Sequence, residues 1–274
     1  MQNKDPYLQK ILEKINKERN LDFSQYRDKL LERRLMVRVR ITKRNNFEQY
    51  FAYLKFHPDE MDYLMDVMTI NVTEFFRDTH VFETIENKVI PELFAKKKMG
   101  MKRMNVWSCA SASGEEAYSM LMLIAEFLGT KLADYKLNIY GTDIDPQALA
   151  KAQEGVYEAA QFKNLTNDKK ALVDKYFYDV GNNRYWIREE WPLYMHFKYH
   201  DIIADMPLNY MDIILCRNLF IYFNRGLQEK VLEKFWEALN KGGFLILGNV
   251  ESIIGKVKDK FIEYDRSARI YVKR

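Results

Sequence analysis

The sequence predicts an α/β fold in which a doubly wound, mainly parallel sheet follows a small N-terminal all-helical domain and contains a short antiparallel β insertion. Two patterns carry this prediction. Up to about residue 70 the apolar residues recur at helical spacing, whereas after residue 100 short β-rich runs alternate with helical stretches. Such alternation is typical of βαβ units with parallel strands. We therefore expect a helical domain over residues 1–72 and a sheet domain over residues 73–274.

The helical region carries a basic stripe. Its members fall at steps of four, seven and four residues on one predicted helix: Lys29, Arg33, Arg40 and Arg44. Both a solvated helix face and a docking surface explain such a stripe. Residues 1–50 carry 13 Lys and Arg against 7 Asp and Glu, so we expect an anionic partner, which could be nucleic acid, a membrane surface or an acidic protein.

The sheet domain can be divided into its elements from the sequence. Predicted strands begin near Met104, Leu137, Met211, Phe244 and Ala268, and predicted helices cover 115–128, 146–153 and 225–240. Between the second and third strands lies a different pattern, in which two β-rich runs are joined through Gly-Asn-Asn at 181–183. This predicts a hairpin, and we expect an antiparallel subdomain over residues 175–198.

Composition excludes several classes of protein. The N-terminus is charged throughout and no run of about 18 apolar residues occurs, so we expect a cytoplasmic protein without membrane insertion. The two cysteines, Cys109 and Cys216, lie far apart in the sequence, which favours reduced thiols over a disulfide framework or a metal site. We expect no metal and a monomer.

The most informative segment is residues 107–119, in which a strand leads through small residues directly into a helix. Small residues allow a backbone to approach a ligand closely. The loop has one glycine, Gly114, followed by Glu115 and Glu116, and these acids oppose a phosphate. They suit a cationic ligand such as a sulfonium, or a hydroxyl donor. Ordinary first-turn acids that complement the helix dipole are the alternative interpretation.

Two further segments follow predicted strands. Asp143 comes directly after the second strand, where a doubly wound fold hydrogen-bonds a ribose, while Asp145 before Pro146 equally suits a helix cap. Together with the small-residue loop, this predicts a nucleoside pocket. The polar pair Arg217 and Asn218 follows a buried strand at the same edge, which favours a ligand-binding role over a core position.

Four segments in this order resemble the CheR-type chemotaxis receptor methyltransferase family. They are N-x-T-x-F-F-R at 71–77, S-G-E-E-x-Y-S at 113–119, D-I-D at 143–145 and C-R-N-x-x-I-Y-F at 216–223, and residues 243–251 agree as well. The resemblance runs from about residue 5 to the end. It implies a class I S-adenosylmethionine-dependent methyltransferase fold, Rossmann-like, with S-adenosylmethionine as cofactor and S-adenosylhomocysteine as its product.

The resemblance also implies a set of site residues. Those expected to line the cofactor site are Asn71, Thr73, Arg77, Glu116, Asp143, Asp201, Ile202, Arg217 and Asn218. Arg77 and Tyr222 are expected nearest the transferred methyl group, as the catalytic pair. Two positions depart from the family pattern: Asp201 stands where Asn is frequent, and Ala112 replaces a hydroxyl residue.

The implied activity is methyl transfer to glutamate side chains of chemoreceptor cytoplasmic helices. A glutamate with a pKa of about 4.3 is ionised at neutral pH and needs no general base, which suits a chain without an evident nucleophile–base pair. The glutamate-bearing receptor helices give the basic residues an acidic partner, and the expected docking set is Lys29, Arg33, Arg34, Arg38 and Arg40. The short hairpin at 181–183 favours a version that needs no receptor C-terminal pentapeptide.

Two other functions remain open. A nucleic-acid methyltransferase would use the basic region to bind phosphates. Amine-methylating enzymes of that class typically have an N/D-P-P-Y turn after the fourth strand, where this chain has Cys216-Arg-Asn-Leu, so we expect no nucleic-acid partner. A non-catalytic module that binds cofactor and receptor is the third possibility, and the presence of Arg77 and Tyr222 argues against it.

Overall fold

A computed structural model describes residues 5–69, 72–97, 102–166 and 169–274. The chain divides into two compact units. The helical unit contains residues up to 70 together with Tyr222–Gln228, and the sheet unit contains Asn71–Ile221 and Glu229–Arg274. A short segment from the C-terminal half of the sequence therefore belongs to the helical unit.

The helical unit has four helices, α1 (Pro6–Arg19), α2 (Asp28–Ile41), α3 (Phe47–Phe56) and α4 (Glu60–Met68). Helix α1 begins where the Asp5 carboxylate accepts a hydrogen bond from the Tyr7 N–H, with Pro6 in its first turn, where a missing N–H costs nothing. The apolar faces of the helices form the core of the unit, for example through Ile11, Leu35 and Leu64, which are fully buried.

The Tyr222–Gln228 segment is held by the stretch that precedes α2. Phe223 forms an antiparallel bridge with Tyr26, and the two rings meet edge to face at 5.1 Å. The Arg27 side chain donates from Nε to the carbonyl of Phe223 at 3.0 Å, and the Arg27 N–H donates to the carbonyl of Tyr222 at 2.9 Å. These contacts fix the position of Tyr222 within the helical unit.

The sheet unit contains a seven-stranded sheet in the order β6-β2-β1-β7-β8-β10-β9. Its strands are β1 (Arg103–Cys109), β2 (Lys136–Asp143), β6 (Met195–Tyr199), β7 (Met211–Cys216), β8 (Leu239–Leu247), β9 (Phe261–Asp265) and β10 (Ile270–Lys273). The first five strands pair in parallel, whereas β10 pairs antiparallel with β8 and β9. The predicted doubly wound, mainly parallel sheet is confirmed; strand β9 was missed.

Helices precede and connect these strands. They are α5 (Thr79–Thr84), α6 (Ile90–Lys97), α7 (Glu115–Leu128), α8 (Pro146–Glu154), α9 (Lys170–Tyr176) and α10 (Arg225–Ala238), with a π-helical turn (Ile85–Val89) between α5 and α6. Helix α7 packs on β1 and β2, and α8 packs on β2 and β6. The Asp145 carboxylate caps α8 by accepting from the Gln147 and Ala148 N–H groups, so the helix-cap interpretation of Asp145 is confirmed.

The antiparallel insertion is a three-stranded sheet in the order β3-β5-β4, made of β3 (Val156–Glu158), β4 (Phe177–Asp179) and β5 (Arg184–Ile187). The predicted hairpin joins β4 to β5, and its turn residues Gly181, Asn182 and Asn183 all have positive φ, a conformation that Gly and Asn adopt readily.

One strand lies elsewhere than expected. Met195–Tyr199 was predicted within the antiparallel insertion, but it forms β6, the edge strand of the large sheet, parallel to β2. The reason is packing: Phe197 of β6 fills the space that Gly141 of β2 leaves open. None of the described helices is long and apolar enough to span a bilayer.

Candidate active site

Three loops that carry predicted site residues meet at the carboxyl edge of the sheet. Strand β1 ends at Cys109, β2 at Asp143 and β7 at Cys216, and these three strands are neighbours in the sheet. Both cysteines are buried free thiols. Because parallel strands end at the same edge, the loops after residues 109, 143 and 216 converge there, which is where open α/β sheets bind ligands.

Asp143 connects two of these loops. One oxygen of its carboxylate accepts from the Ala112 N–H at 2.8 Å, and the other accepts from the Asp145 N–H at 3.0 Å. Burial raises the pKa of this carboxyl, while the two backbone donors act in the opposite direction. A carboxylate has about four acceptor positions. Asp143 can therefore still accept from a ligand hydroxyl.

Arg217 is the buried cation of the site. Its guanidinium forms an ion pair with Asp78, contacts Glu116 at 3.4 Å and donates to the carbonyl of Arg77 at 2.9 Å. The Glu116 carboxylate also accepts from Ser108 Oγ at 2.7 Å. Burial raises the pKa of Glu116, and Arg217 opposes that rise. Arg217 thus positions Glu116 and the loop at 77–78 through Nη1 and Nη2, while its buried Nε has no hydrogen-bond partner among the described residues.

Glu115 differs from its neighbour. Its side chain is fully buried, and it accepts from Ser113 Oγ at 2.9 Å and from the Gln161 side chain. Burial is the main reason that its pKa rises to about 7. Gln161 follows β3, so Glu115 joins the small-residue loop to the antiparallel insertion.

The glycines of the site make room for protein, which the sequence interpretation did not anticipate. A Cβ at Gly114, which has φ +91°, would lie 2.9 Å from both Ala152 Cβ and Phe197 Cζ. A Cβ at Gly141 would lie 2.4 Å from the Phe197 ring. Both positions therefore require glycine because the Phe197 ring of the edge strand packs directly against the backbone there.

Several residues without the freedom of glycine adopt left-handed backbone conformations around this edge. They are Phe76, Asp78, Ala110, Ala112 and Asn218. Such conformations cost of order 1 kcal/mol or more each and cluster at functional sites. Local contacts hold them: the Phe76 N–H, for example, donates to Ser119 Oγ at 3.0 Å.

Glu251 holds the loop after β7. Its buried carboxylate accepts from the N–H groups of Asn218 at 3.1 Å, Phe220 at 2.8 Å and Gly248 at 2.7 Å. A Cβ at Gly248 would lie 2.7 Å from Glu251 Oε2, so glycine is required there. Sequence reasoning did not assign Glu251 a role, although it ends the matching segment 243–251.

The segment with Arg77 leads into α5. Arg77 donates from Nη1 to the carbonyl of Val72 at 2.9 Å, and this is its only side-chain hydrogen bond to the described residues. Its other N–H donors are therefore available to an anion. Thr73 is half-buried in the same loop, and Asn71, also predicted to line the cofactor site, lies outside the described residues.

Asp201 and Ile202 lie after β6, next to the end of β2. The His200 N–H donates to the carbonyl of Asp143 at 3.1 Å, which ties the two strand ends together. The Asp201 carboxylate accepts from the Ile203 N–H at 2.7 Å. Both Asp201 and Ile202 are buried.

Lys234 of α10 anchors this loop, and no sequence pattern pointed to it. Its ammonium donates to the carbonyls of Ile202 and Ile203 at 2.8 Å and of Asp205 at 2.7 Å. Three N–H donors on one ammonium thus hold the backbone turn at 202–205 in place.

In the helical unit, Tyr222 lies against Arg34, whose Cζ is 4.2 Å from the Tyr222 ring centroid. Arg34 is buried and donates to the carbonyl of Met68, and Arg38 pairs with Glu60 at 2.7 and 2.8 Å. Arg34 is thus buried and Arg38 is paired within the unit, because both flank the apolar face of α2, and a docking role for these two residues stays a prediction. The remaining members, Lys29, Arg33 and Arg40, are exposed.

Comparison with known proteins gives the same two units. Residues 6–69 match the model of the CheR methyltransferase all-alpha domain, and residues 71–270 match that of the CheR methyltransferase SAM binding domain. The cofactor is therefore S-adenosylmethionine.

Curated relatives align over most of the chain. A chemotaxis protein methyltransferase of Listeria monocytogenes is 30% identical over 88% of this chain and 87% of its own length. Chemotaxis protein methyltransferase 2 of Vibrio cholerae is 32% identical over 81% and 77%, and a chemotaxis protein methyltransferase of Borreliella burgdorferi is 28% identical over 94% and 90%. The chain belongs to the CheR methyltransferase family.

Proposed function

We propose that this protein transfers the methyl group of S-adenosylmethionine to glutamate carboxylates on the cytoplasmic helices of chemoreceptors, forming glutamate methyl esters. The observation that carries the proposal is the pairing of opposite charges at one sheet edge. The partly buried carboxylate of Glu116 and the buried carboxylate of Asp143 suit a cationic cofactor, while Arg77 keeps donors available for an anionic acceptor.

The described residues fit the cofactor. Asp143 has acceptor capacity left for ribose hydroxyls, and Glu116 provides negative charge for a cationic group. Ser111 Oγ is buried and has no hydrogen-bond partner among the described residues, so a ligand polar atom would satisfy it. The full proposed set remains Asn71, Thr73, Arg77, Glu116, Asp143, Asp201, Ile202, Arg217 and Asn218.

The reaction asks little of the protein beyond positioning. When bound, S-adenosylmethionine supplies an electrophilic methyl group on a sulfonium. A glutamate with a pKa of about 4.3 arrives ionised, so no residue has to remove a proton. Arg77 orients the carboxylate through its remaining N–H donors, and removal of water from that carboxylate makes it more reactive.

Tyr222 is the second proposed catalytic residue. The contacts that favour this role all lie within the helical unit. The Arg34 guanidinium on its ring and the Arg27 N–H on its carbonyl restrict its rotation. A side chain held in one position can pack beside a transferred group without an entropy loss at the moment of reaction. Arg34 then acts through Tyr222 as a positioning residue.

Receptor docking is proposed for the exposed basic residues of α2, namely Lys29, Arg33 and Arg40. Their partners would be the acidic side chains of the receptor helices. Since exposed ion pairs are screened by salt, docking should weaken as ionic strength rises. The hairpin of the insertion is short, with strands of three and four residues, and we propose that methylation does not depend on a receptor C-terminal pentapeptide.

Methyl transfer from labelled S-adenosylmethionine tests the function. The protein is incubated with a receptor cytoplasmic fragment, with the same fragment lacking its last five residues, and with DNA and RNA. We expect equal labelling of the two fragments, release of the label as methanol in alkali, and no label on nucleic acid. Label on nucleic acid would identify the first alternative, and cofactor binding without any transfer would identify a non-catalytic module.

A further inference from the structure

In the first half of strand β2, buried apolar side chains alternate with polar or partly exposed side chains. A strand covered on both faces would not show this pattern. Leu137 and Ile139 belong to the buried core, whereas Lys136, Asn138 and Tyr140 face the other side. In a parallel sheet with helices on both faces, strands read as continuous apolar runs. The alternation therefore marks a region of sheet with one uncovered face.

The connection between β6 and β7 explains why this face is open. Consecutive parallel strands of such sheets are usually joined through a crossover helix. Residues 200–210, all of them described, form only turns and bends before β7 begins. Helices α7 and α8 lie on the opposite face of β1, β2 and β6. The β6–β7 connection therefore places no helix over the face that carries Tyr140.

A cavity of about 310 Å³ occupies the uncovered face near the amino ends of the strands. Its lining includes two cations, two amides and two rings: Arg103, Lys136, Asn105, Asn138, Tyr140 and His196. This end of the strands is opposite to the carboxyl edge that carries Asp143 and Arg217. The cavity is thus separate from the proposed methyl-transfer site, and its volume lies in the range of small-molecule sites.

The charge of the cavity is one-sided. Arg103 and Lys136 are direct cross-strand neighbours, an arrangement of like charges that destabilises a sheet. Neither they nor Lys198, on the same face of β6, lies within ion-pair distance of a carboxylate among the described residues, and none of the described lining residues is acidic. Burial, Lys136 and Lys198 together lower the pKa of His196. An anion would relieve this repulsion.

The floor of the cavity is ordered by a chain of side-chain hydrogen bonds. Asn138 accepts from His196 Nε2 at 3.3 Å and donates to Asn105 Oδ1 at 2.8 Å, and Asn105 donates to the carbonyl of Tyr210 at 2.9 Å. Asn105 is 7% exposed. Tyr210 has a left-handed backbone with φ 59°, a strain that persists where the surroundings enforce it.

The aromatic groups suggest which anion fits. The Tyr140 and His196 rings lie 5.0 Å apart with a tilt of 33°, and the Tyr210 side chain, 75% exposed, lies at the rim. Cations beside aromatic faces suit a ligand with a phosphate and a flat ring, since bases stack on such rings. We propose that this cavity binds a mononucleotide-sized phosphate ligand, its phosphate on Arg103 and Lys136 and its ring on Tyr140.

Calorimetric titration of the full chain tests the proposal. S-adenosylhomocysteine is kept saturating throughout, so that the probes cannot occupy the cofactor site. The probes are AMP, GMP, adenosine, inorganic phosphate and a hexaglutamate peptide. We expect a nucleoside monophosphate to bind at one site, about tenfold or more tighter than adenosine or phosphate alone, and to lose affinity as salt concentration rises.

Variants then locate the site. Arg103→Gln combined with Lys136→Gln should lower the affinity for the nucleotide by about tenfold or more. Tyr140→Leu should lower it by about fivefold or more. Lys102→Gln is the matched control, because it removes an exposed cation next to Arg103 whose partner is Asp134, and it should leave binding unchanged. S-adenosylhomocysteine affinity verifies that each variant is folded.

Three results would overturn the proposal. They are the absence of nucleotide binding at millimolar concentrations, equal affinity for phosphate and nucleotide, and binding of the hexaglutamate peptide in place of the nucleotide. The salt dependence and the probe series are measured on the unmodified protein, so they decide the question even if a variant fails to fold.

Discussion

The Asn218 N–H donates to the buried carboxylate of Glu251, which joins the loop after β7 to the turn after β8. The same carboxylate accepts from two further backbone N–H groups, those of Phe220 and Gly248. A single side chain from the end of one strand thus fixes the conformation of a neighbouring loop that carries proposed cofactor residues.

Glu251→Gln should therefore damage both stability and cofactor binding. An amide presents N–H donors to backbone N–H groups, so at least one of the three hydrogen bonds is lost. We expect unfolding free energy to fall by about 2–3 kcal/mol and S-adenosylhomocysteine to bind more weakly, as measured by urea unfolding and calorimetry. Glu263→Gln, on the exposed face of β9, is the control. Equal unfolding free energies and equal S-adenosylhomocysteine affinities of the two variants would show that Glu251 does not position the loop.

Glu115 should make stability depend on pH. Its pKa is about 7 in the folded protein against an ordinary value of 4.5, so between these pH values the folded state holds a proton that the unfolded state has released. Unfolding free energy should fall as pH rises through this window, by up to about 3 kcal/mol from this group. Glu115→Gln should remove that part of the slope.

Urea unfolding from pH 4.5 to 8 measures the difference between Glu115→Gln and the unmodified protein. Glu83→Gln, an exposed position on α5, is the control and should leave the slope unchanged. A parallel pair of stability curves for Glu115→Gln and the unmodified protein would mean that the buried carboxyl is already ionised below pH 5.

Lys234→Met should loosen the loop that carries Asp201 and Ile202. The substitution keeps the apolar stem and removes all three donors to backbone carbonyls. We expect S-adenosylhomocysteine affinity to fall about tenfold, with a loss of about 1–3 kcal/mol in stability. Lys230→Met, one turn earlier on α10 and exposed, should change neither. Unchanged S-adenosylhomocysteine affinity in Lys234→Met would show that the position of this loop does not affect cofactor binding.

Charge reversal on α2 tests docking. Arg33→Glu with Arg40→Glu should raise the receptor KM several-fold at low salt while cofactor affinity stays constant, because long-range attraction to acidic helices is lost. Lys17→Glu with Lys55→Glu is the matched control on α1 and α3, where both lysines are exposed. The assay is initial methylation rate against receptor concentration at two salt concentrations, and equal KM values for both double variants would exclude this surface.

Arg77→Ala and Tyr222→Phe test the proposed catalytic pair. Loss of a charged donor to the acceptor carboxylate should lower kcat/KM at least about tenfold, and Tyr222→Phe should lower kcat with the fold intact. Arg266→Ala and Tyr178→Phe, at exposed positions of the sheet unit, are the controls. Wild-type turnover and cofactor affinity in both test variants would refute the assigned roles.

The strand ends of the site could be predicted from sequence because they are set locally. Asp143 ends a β-rich run and Arg217 follows a buried, mostly apolar run, and parallel strands end at a common edge, so their convergence follows from the pattern. The roles of individual site residues remain predictions. The neutralisation of Arg217 by Asp78 and Glu116 could not be foreseen, since it joins three segments that are far apart in sequence.

The features that sequence patterns did not reveal have physical causes as well. Arg34 and Arg38 carry the same charge as Arg33, and sequence alone does not show that Glu60 and the carbonyl of Met68 lie opposite them. Met195–Tyr199 has the alternation of an exposed hairpin strand, but the same alternation arises on the uncovered face of the large sheet. Lys234 resembles any lysine on a surface helix until the loop it holds is placed.

The assignment of Tyr222–Gln228 to the helical unit has a consequence for how the chain folds. During synthesis on the ribosome, the residues of the four N-terminal helices are made long before residue 222. The bridge between Tyr26 and Phe223 can therefore form only after the later segment has been synthesised. A truncated protein that lacks the first 70 residues would leave that segment without the surface it packs on. The helical unit is therefore built from two distant parts of the sequence, and a fragment that ends at residue 70 lacks one of them.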